Sequence, residues 1–294
     1  MTPSTASPRR ALCALLAASA LLVVASCATN PVTGKRELNL VSTNQELAIG
    51  KEGYGAVLSE YGAYDDARLQ AYVDSVGRAL ARVSHRPDLD WKFTVLDDPA
   101  VNAFAMPGGY IYITRGILAH LNSEAQLAGV LGHEIAHVLL RHSAQQIEKE
   151  QKTNLGLSVV CGLTNICSSN AARVAINVGG AALFARFSRH DELQADSAAV
   201  SVLVRAGYDP QGIVSMFAKL LETREQRPDL VAGWFASHPL EEDRIAAVTR
   251  VIRSTPGADS PSLVKDDPAF HEFQARVHAL PPSPPPPAPP GGSP

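Results

Sequence analysis

The sequence has little net charge, few aromatic residues and no long apolar run in its body. Charged residues make up 19% of the 294 positions and aromatic residues 6%, and the formal net charge is −3. Without a basic stripe, such a chain lacks the electrostatic surface that nucleic-acid binding requires. Its 46% of apolar residues is too high for a disordered protein and too scattered for a polytopic membrane protein. The composition therefore favours a folded globular body and excludes nucleic-acid binding.

The amino-terminal segment carries a targeting pattern. Two arginines precede an apolar run at residues 11–25, and small residues lead into Cys27. This order is typical of a bacterial secretory signal, and the run is short for a membrane span. Residues 24–27, Val-Ala-Ser-Cys, resemble a lipobox, in which the cysteine thiol is acylated and the chain is cut before it; the alternative is a plain signal peptide. We expect residues 1–26 to be a lipoprotein signal peptide and Cys27 to anchor the chain to the envelope membrane, with the outer membrane favoured.

Cysteine is scarce, with four residues in the whole chain. Cys13 lies in the predicted signal and Cys27 is the predicted lipid site, which leaves Cys161 and Cys167. Export would place these two thiols in an oxidising compartment, where residues six apart can close a small disulfide loop. The alternative is a pair of buried free thiols. A zinc site there is disfavoured, because no second cysteine or histidine pair lies nearby.

Periodicity and turn residues divide the rest of the chain. We expect a lipid-anchored arm at 27–42, a catalytic body at 43–256, an extension at 257–280 and a disordered tail at 281–294, where nine of fourteen residues are proline. Apolar spacing and capping signals predict helices at 43–58, from 66, at 123–150, at about 171–206 with a break near 179–180, at 209–225 and at 239–254. Alternation predicts strands at 91–96, 102–106 and 110–114. The fold class expected is α+β, mostly helical, with a small sheet beside the helix at 123–150.

The sequence His133-Glu134-Ile135-Ala136-His137 lies within that predicted helix. Residues four apart stack on one helix face, so both imidazoles can reach one metal ion. Glu134 lies one residue around the helix, where a carboxylate can take a proton from water at the metal. The alternative, a pair of surface histidines, conflicts with the apolar residues around the motif, because unpaired buried imidazoles are costly.

A zinc hydrolase needs a third protein ligand and an open fourth position. The downstream candidates are His142, His190, Asp191, Glu192, Asp196 and His238. Glu192 and Asp196 are again four apart on a predicted helix, which favours Glu192 as the zinc ligand. Asp196 would then accept a hydrogen bond from a ligand imidazole or serve as an acid.

These motifs together resemble metallopeptidase family 48, the gluzincins that include HtpX and the CAAX prenyl proteases, and in particular its exported lipoprotein branch. The resemblance covers about residues 30–253. It rests on Asn30-Pro-Val-Thr-Gly34, Asn102-Ala-Phe, Pro107-Gly-Gly-Tyr-Ile-Tyr-Ile-Thr-Arg-Gly116, Gly132-His-Glu-Ile-Ala-His137, Ser188-Arg189, Glu192, Ala195-Asp196, Ser237-His238-Pro239 and Arg244.

The resemblance implies a zincin-like fold, one Zn2+ per chain held by His133, His137 and Glu192, and Glu134 as general base. It implies that Asp196 is a further active-site carboxylate. It also implies that His238 lies over the metal, as an oxyanion stabiliser or a removable fourth ligand. We expect Arg244 to assist His238 at the oxyanion.

Tyr110, Ile111 and Tyr112 follow a Pro-Gly-Gly turn just before the histidine motif. They are candidates for an edge strand that binds an extended substrate by strand addition; an interior strand is the alternative.

The function expected is a zinc endopeptidase that degrades misfolded or misassembled envelope proteins in the periplasm, with protein or peptide substrates. Outer-membrane assembly machinery is a further candidate partner. The alternatives are a zinc-stabilised assembly factor or chaperone with latent peptidase activity, and a hydrolase of cell-wall peptide or amide bonds.

Overall fold

The computed structural model of the protein describes residues 27–30, 32–34, 36–38, 41–150, 186–239 and 242–279. Its strands are β1 (Cys27–Thr29), β2 (Arg36–Leu38), β3 (Lys92–Leu96), β4 (Ala103–Met106) and β5 (Tyr110–Thr114). Its helices are α1 (Thr43–Tyr61), α2 (Ala67–Arg82), α3 (Arg115–Leu118), α4 (Glu124–Leu139), α5 (Arg189–Ala206), α6 (Gln211–Gln226), α7 (Pro228–Ser237), α8 (Glu242–Ser254) and α9 (Pro268–His278), with a further helical segment at 142–150 after α4. The predicted class, a mostly helical α+β domain, is confirmed.

Three of the strands form a small mixed sheet in the order β3-β5-β4. Strand β3 pairs in parallel with β5, with Thr94 opposite Tyr112, and β4 pairs antiparallel with the other side of β5, with Phe104 opposite Tyr112. Strands β1 and β2 form a separate antiparallel pair in the arm. The predicted strands at 91–96, 102–106 and 110–114 are therefore all present.

The expectation that Tyr110, Ile111 and Tyr112 form an edge strand is wrong. Gly108 and Gly109, with φ of 84° and 96°, fold β4 back antiparallel onto β5, and β3 occupies the opposite side. Both rows of β5 backbone groups are used within the sheet, and every residue of β5 is buried. The two edge strands of the sheet are β3 and β4, and β4 is the one that the Gly108–Gly109 turn joins to β5.

Helix α4 carries the two histidines and is buried along its whole length. The Ser123 hydroxyl caps it by accepting a hydrogen bond from the Gln126 backbone N–H. The helix packs against α2, α5, α6 and strand β4. The start of α6 approaches it so closely that a Cβ at Gly212 would lie 2.1 Å from the Ala125 carbonyl oxygen. Helices thus surround the motif, as its apolar residues predict.

The predicted helix at 123–150 is interrupted, which corrects that prediction. Helix α4 ends at Leu139, and Arg141 adopts a φ of 60° before the chain becomes helical again at 142. The Arg141 side chain donates to Glu46 at 3.2 Å and to the Val41 carbonyl at 2.5 Å. These long-range hydrogen bonds hold Arg141 in the left-handed conformation, which the local sequence does not favour.

The helices after residue 186 follow the prediction with two differences. Helix α7 (Pro228–Ser237) was not expected, although Pro228 at its first turn is a standard start signal. Pro239, where the predicted last helix begins, is not helical, and the described part of α8 runs from Glu242. The predictions for 171–185, for the Cys161–Cys167 disulfide, for the signal at 1–26 and for the tail at 281–294 all lie outside the described residues.

The predicted extension packs on the body through α9. Phe270, Phe273 and Val277 are buried in the main core, and Phe273 stacks on Tyr72 of α2 with ring centroids 4.5 Å apart. Among the described residues, no helix combines the length and apolar character needed to cross a membrane.

Candidate metal centre

The two histidines of α4 face one point, as their spacing predicts. His133 Nε2 and His137 Nε2 lie 3.0 Å apart, and the two rings meet edge to face. Neither side chain has any exposed surface. Two imidazoles this close, with their Nε2 atoms converging, can bind a single cation between them.

Helix α5 brings Glu192 to the same point. A capping box between Ser188 and Asp191 starts the helix, and Gly207 ends it in the left-handed conformation. Glu192 therefore sits in the first turn, with Oε1 3.4 Å from His137 Nε2 and Oε2 3.5 Å from His133 Nε2.

His238 reaches the cluster from the end of α7. Its backbone N–H donates to the Trp234 carbonyl at 2.8 Å, which closes the last turn of the helix. Its ring Nδ1 lies 3.0 Å from Glu192 Oε1 and 3.4 Å from His133 Nε2. His238 thus lies close to both Glu192 and the first histidine of α4.

The four side chains fit a metal ion. One ligand atom from each of His133, His137, Glu192 and His238 lies within 4.8 Å of the others, and all four residues are fully buried. Imidazole nitrogens with one carboxylate oxygen form the donor set that zinc prefers, although other divalent metals use the same ligands. The group can therefore hold a metal, and its chemistry is compatible with zinc.

Glu134 borders this cluster without joining it. Its side chain has 0% exposure, and neither carboxylate oxygen has a hydrogen-bond partner among the described residues. Its Oε1 lies 3.6 Å from His238 Nε2, and burial raises the pKa of the carboxyl. A buried carboxylate with free lone pairs beside a metal centre is equipped to exchange protons with a ligand in the cleft.

Asp196 and Arg244 form a second layer behind the ligands. Asp196 Oδ1 lies 3.0 Å from His133 Nδ1, on the far side of that ring from the cluster. Arg244 donates to both oxygens of Asp196, at 2.7 and 2.9 Å, and its Nη1 lies 2.5 Å from Glu192 Oε2. Burial lowers the pKa of His133, but Asp196 and Glu192 outweigh it and raise the pKa to about 9. Three carboxylates, Glu134, Glu192 and Asp196, thus lie around the histidines, and their negative charge suits a bound cation.

Three further side chains enclose the centre in positions that the sequence did not predict. The Phe187 ring stacks on His137 at 4.1 Å, and Trp234 lies 4.7 Å from His238 between ring centroids. His142 places Nδ1 3.0 Å from His137 Nδ1. Phe187 and Trp234 carried no local signal; His142 was a ligand candidate but contacts the outer side of a ligand ring.

The remaining sequence candidates lie elsewhere. His190 is exposed, and Asp191 is occupied in the helix cap. Tyr110 and Tyr112 pack with Tyr54 in a second apolar cluster, and the neighbouring Ile111 lies in the main core. The structure brings none of these into the metal cluster.

A mostly helical fold with a His-Glu-x-x-His helix and a glutamate from a later helix defines the metallopeptidase class. The family profile described as Peptidase family M48 matches residues 67–252. The chain belongs to this family, which confirms the resemblance seen in the sequence.

Individual relatives agree with this assignment. The chain is 30% identical to the mitochondrial metalloendopeptidase OMA1 of Schizosaccharomyces pombe, over 74% of this chain and 64% of that protein. It is 27% identical to the beta-barrel assembly-enhancing protease of Escherichia coli K12, over 86% of this chain and 52% of that one. It is 32% identical to OMA1 of Arabidopsis thaliana, over 61% of this chain and 35% of that protein. The chain therefore spans less than two thirds of the length of these relatives.

Proposed function

We propose that this protein is a zinc-dependent endopeptidase that cleaves misfolded or misassembled proteins of the bacterial envelope. The observation that carries the proposal is Glu134, whose two buried oxygens lack hydrogen-bond partners among the described residues and lie beside the three convergent side chains His133, His137 and Glu192. A structural metal site needs no such base, because its ligands close the coordination shell.

In this proposal His133, His137 and Glu192 hold the zinc ion. When bound, zinc supplies Lewis acidity to the attacking water and to the scissile carbonyl. Glu134 takes a proton from the water and passes it to the leaving amine. The pKa of Glu134, raised by burial, brings the carboxyl closer to the neutral range in which a general base also donates well. His238, whose Nε2 lies 3.6 Å from Glu134 Oε1, stabilises the oxyanion.

Arg244 receives a different role from the one expected. Its three guanidinium nitrogens contact Asp196, Glu192 and the Pro239 carbonyl. A guanidinium engaged in this way orients the carboxylates rather than the substrate. We therefore assign Arg244 and Asp196 to positioning of the ligands His133 and Glu192.

The substrate strand is proposed to add to β4, one of the two edge strands of the sheet. Because Thr114 N–H donates to the Asn102 carbonyl, alternation along the antiparallel pair turns the backbone groups of Ala103 and Ala105 outward. The Ser143 hydroxyl already reaches the Ala105 carbonyl from that side, at 3.2 Å. Main-chain hydrogen bonds to such an edge bind peptides with little sequence preference.

The cellular setting is proposed from the amino-terminal pattern and from a relative's name. The signal-like residues 1–26 and Cys27 support a lipid anchor in the outer membrane and an active site facing the periplasm. The Escherichia coli relative is named for β-barrel assembly, which supports envelope proteins as substrates and assembly machinery as a partner. Retention of the mature chain on carbonate-washed membranes, lost in Cys27→Ser, tests the anchor; a freely soluble wild type contradicts it.

The catalytic proposal is tested with Glu134→Gln. This variant should keep stoichiometric zinc and lose cleavage of unfolded casein by about 10²-fold or more, because the amide cannot take the proton. Glu222→Gln, an exposed residue of α6, is the matched control and should cleave normally. Casein cleavage by Glu134→Gln at the wild-type rate overturns the base assignment. A wild-type protein that binds no metal overturns the whole proposal.

A second candidate function is an assembly factor or chaperone whose peptidase is latent. It is favoured by the closure of the centre: His133, Glu134, His137, Glu192 and His238 all have 0% exposure. A strain that lacks the gene distinguishes the two functions. If Glu134→Gln restores envelope integrity there as well as wild type, the assembly role is the essential one; if it fails, proteolysis is.

A further inference from the structure

His142 faces the metal ligand His137 from the side away from the metal. The two Nδ1 atoms lie 3.0 Å apart, and both rings are buried. At this distance one nitrogen must carry a proton and the other must accept it, because two N–H groups or two lone pairs would repel. The pair is therefore a hydrogen bond between imidazoles, and its direction depends on the tautomer of each ring.

The metal side fixes the tautomer of His137. Its Nε2 faces His133 Nε2 and Glu192 Oε1, and with zinc bound as proposed this nitrogen offers its lone pair to the ion. In a neutral imidazole the proton then resides on Nδ1. His137 Nδ1–H is thus the donor, and His142 Nδ1 is the acceptor.

Gln194 sets His142 in the matching tautomer. Its Oε1 lies 3.4 Å from His142 Nε2, at the opposite end of the ring. An amide oxygen only accepts, so Nε2 carries the proton of His142 and Nδ1 is left with its lone pair. Both ends of the chain from Gln194 through His142 to His137 therefore require the same proton arrangement.

We propose that His142 and Gln194 are positioning residues that fix the tautomer and ring orientation of His137 for metal binding. The inference rests on the metal site of the proposed function. Asp196 serves His133 in a comparable place, so each histidine of α4 has its own partner behind it. Such outer partners typically contribute 10–100-fold to metal affinity.

The break in the helix makes this arrangement possible. On a continuous helix, a residue five positions after His137 would point away from its face. The left-handed Arg141 redirects the chain, so that His142 returns to the side of the ligand. The Phe187 ring stacks on a face of the His137 ring and restricts its rotation.

The experiment measures zinc affinity of the full chain by competition with a chromophoric chelator, together with melting of the metal-free protein. His142→Phe should weaken zinc binding by about 10–100-fold. Gln194→Leu should weaken zinc binding several-fold. Gln194→Glu can still accept the hydrogen bond from His142, so its zinc affinity should stay near that of the wild type. Gln226→Leu, an exposed residue at the end of α6, is the control for the glutamine-to-leucine exchange. The melting temperature of the metal-free forms should not change, because the hydrogen-bond relay from Gln194 through His142 to His137 acts on the ligand and not on the core.

The outcomes separate the two proposals. A wild-type protein that binds no zinc contradicts the proposed function. An unchanged zinc affinity in His142→Phe contradicts only the hydrogen-bond relay. Equal losses in Gln194→Leu and Gln194→Glu also overturn it, since position 194 would then act through packing. If His142→Phe fails to fold, two other measurements test the proposal. These are the zinc affinities of Gln194→Leu and Gln194→Glu, and long-range ¹H–¹⁵N spectra of the imidazoles. The relay requires His142 protonated on Nε2 and His137 on Nδ1, and the reverse tautomer of His142 refutes it.

Discussion

His133 Nδ1 lies 3.0 Å from Asp196 Oδ1, so the first histidine of α4 is held from behind by a carboxylate of α5. The same carboxylate accepts two hydrogen bonds from Arg244. Asp196 therefore connects a proposed metal ligand of α4 to the guanidinium of Arg244 on α8, and the orientation of His133 depends on packing between three helices. This contact favours the positioning role of Asp196 over that of a proton donor, because its oxygens are already engaged.

Replacement of Asp196 tests that role. Asp196→Asn should weaken zinc affinity by about 10–100-fold, because the amide loses the charge that orients His133 and pairs with Arg244. Turnover of the zinc-saturated variant should fall far less than in Glu134→Gln. Asp229→Asn, at an exposed position of α7, should leave both quantities unchanged. Full zinc affinity with turnover as low as that of Glu134→Gln would instead make Asp196 the proton donor.

His238→Ala should separate catalysis from metal binding. The variant retains His133, His137 and Glu192, so its zinc content at micromolar metal should stay near one per chain. Casein turnover should fall by about 10²–10³-fold, the usual cost of removing an oxyanion donor. The measurement pairs elemental analysis with initial rates. Loss of zinc in proportion to activity would make His238 an obligatory ligand.

The parts of the centre that follow helical periodicity could be predicted from the sequence. His133 and His137 share a face, as do Glu192 and Asp196, because residues four apart always stack. The rest depends on contacts distant in the chain. The break at Arg141 is held by Glu46, 95 residues away, and without it the position of His142 cannot be inferred. β5 is central because β3 pairs with the side of β5 that β4 leaves free. The alternation of residues along a single strand does not predict which strands will be its neighbours.

Strand addition at β4 predicts a periodic response to changes in the substrate backbone. In a peptide bound antiparallel to an edge, every second residue directs its N–H to the protein. Single N-methylation along a cleavable peptide should therefore raise KM at alternate positions, by about tenfold where one hydrogen bond is lost. The intervening positions should tolerate the methyl group. Uniform losses along the peptide would mean that the substrate does not bind as a strand.

Glu46 should contribute strongly to stability, because it is a buried carboxylate between two arginines. Its oxygens accept from Arg86 at 2.9 and 3.2 Å and from Arg141 at 3.2 Å, and its side chain is 1% exposed. Arg86 also donates to the Val138 carbonyl, so the cluster joins α1 to the end of α4.

Removing the shared carboxylate in Glu46→Ala leaves two largely buried cations unpaired, and the free energy of unfolding should fall by about 3–5 kcal/mol. Asp74→Ala, which breaks the exposed pair with Arg78, is the matched control and should cost less than about 1 kcal/mol. Urea unfolding of the three proteins gives both values. Equal stability losses in the two variants would show that the cluster does not anchor the end of the histidine helix, and the left-handed Arg141 would then need another cause.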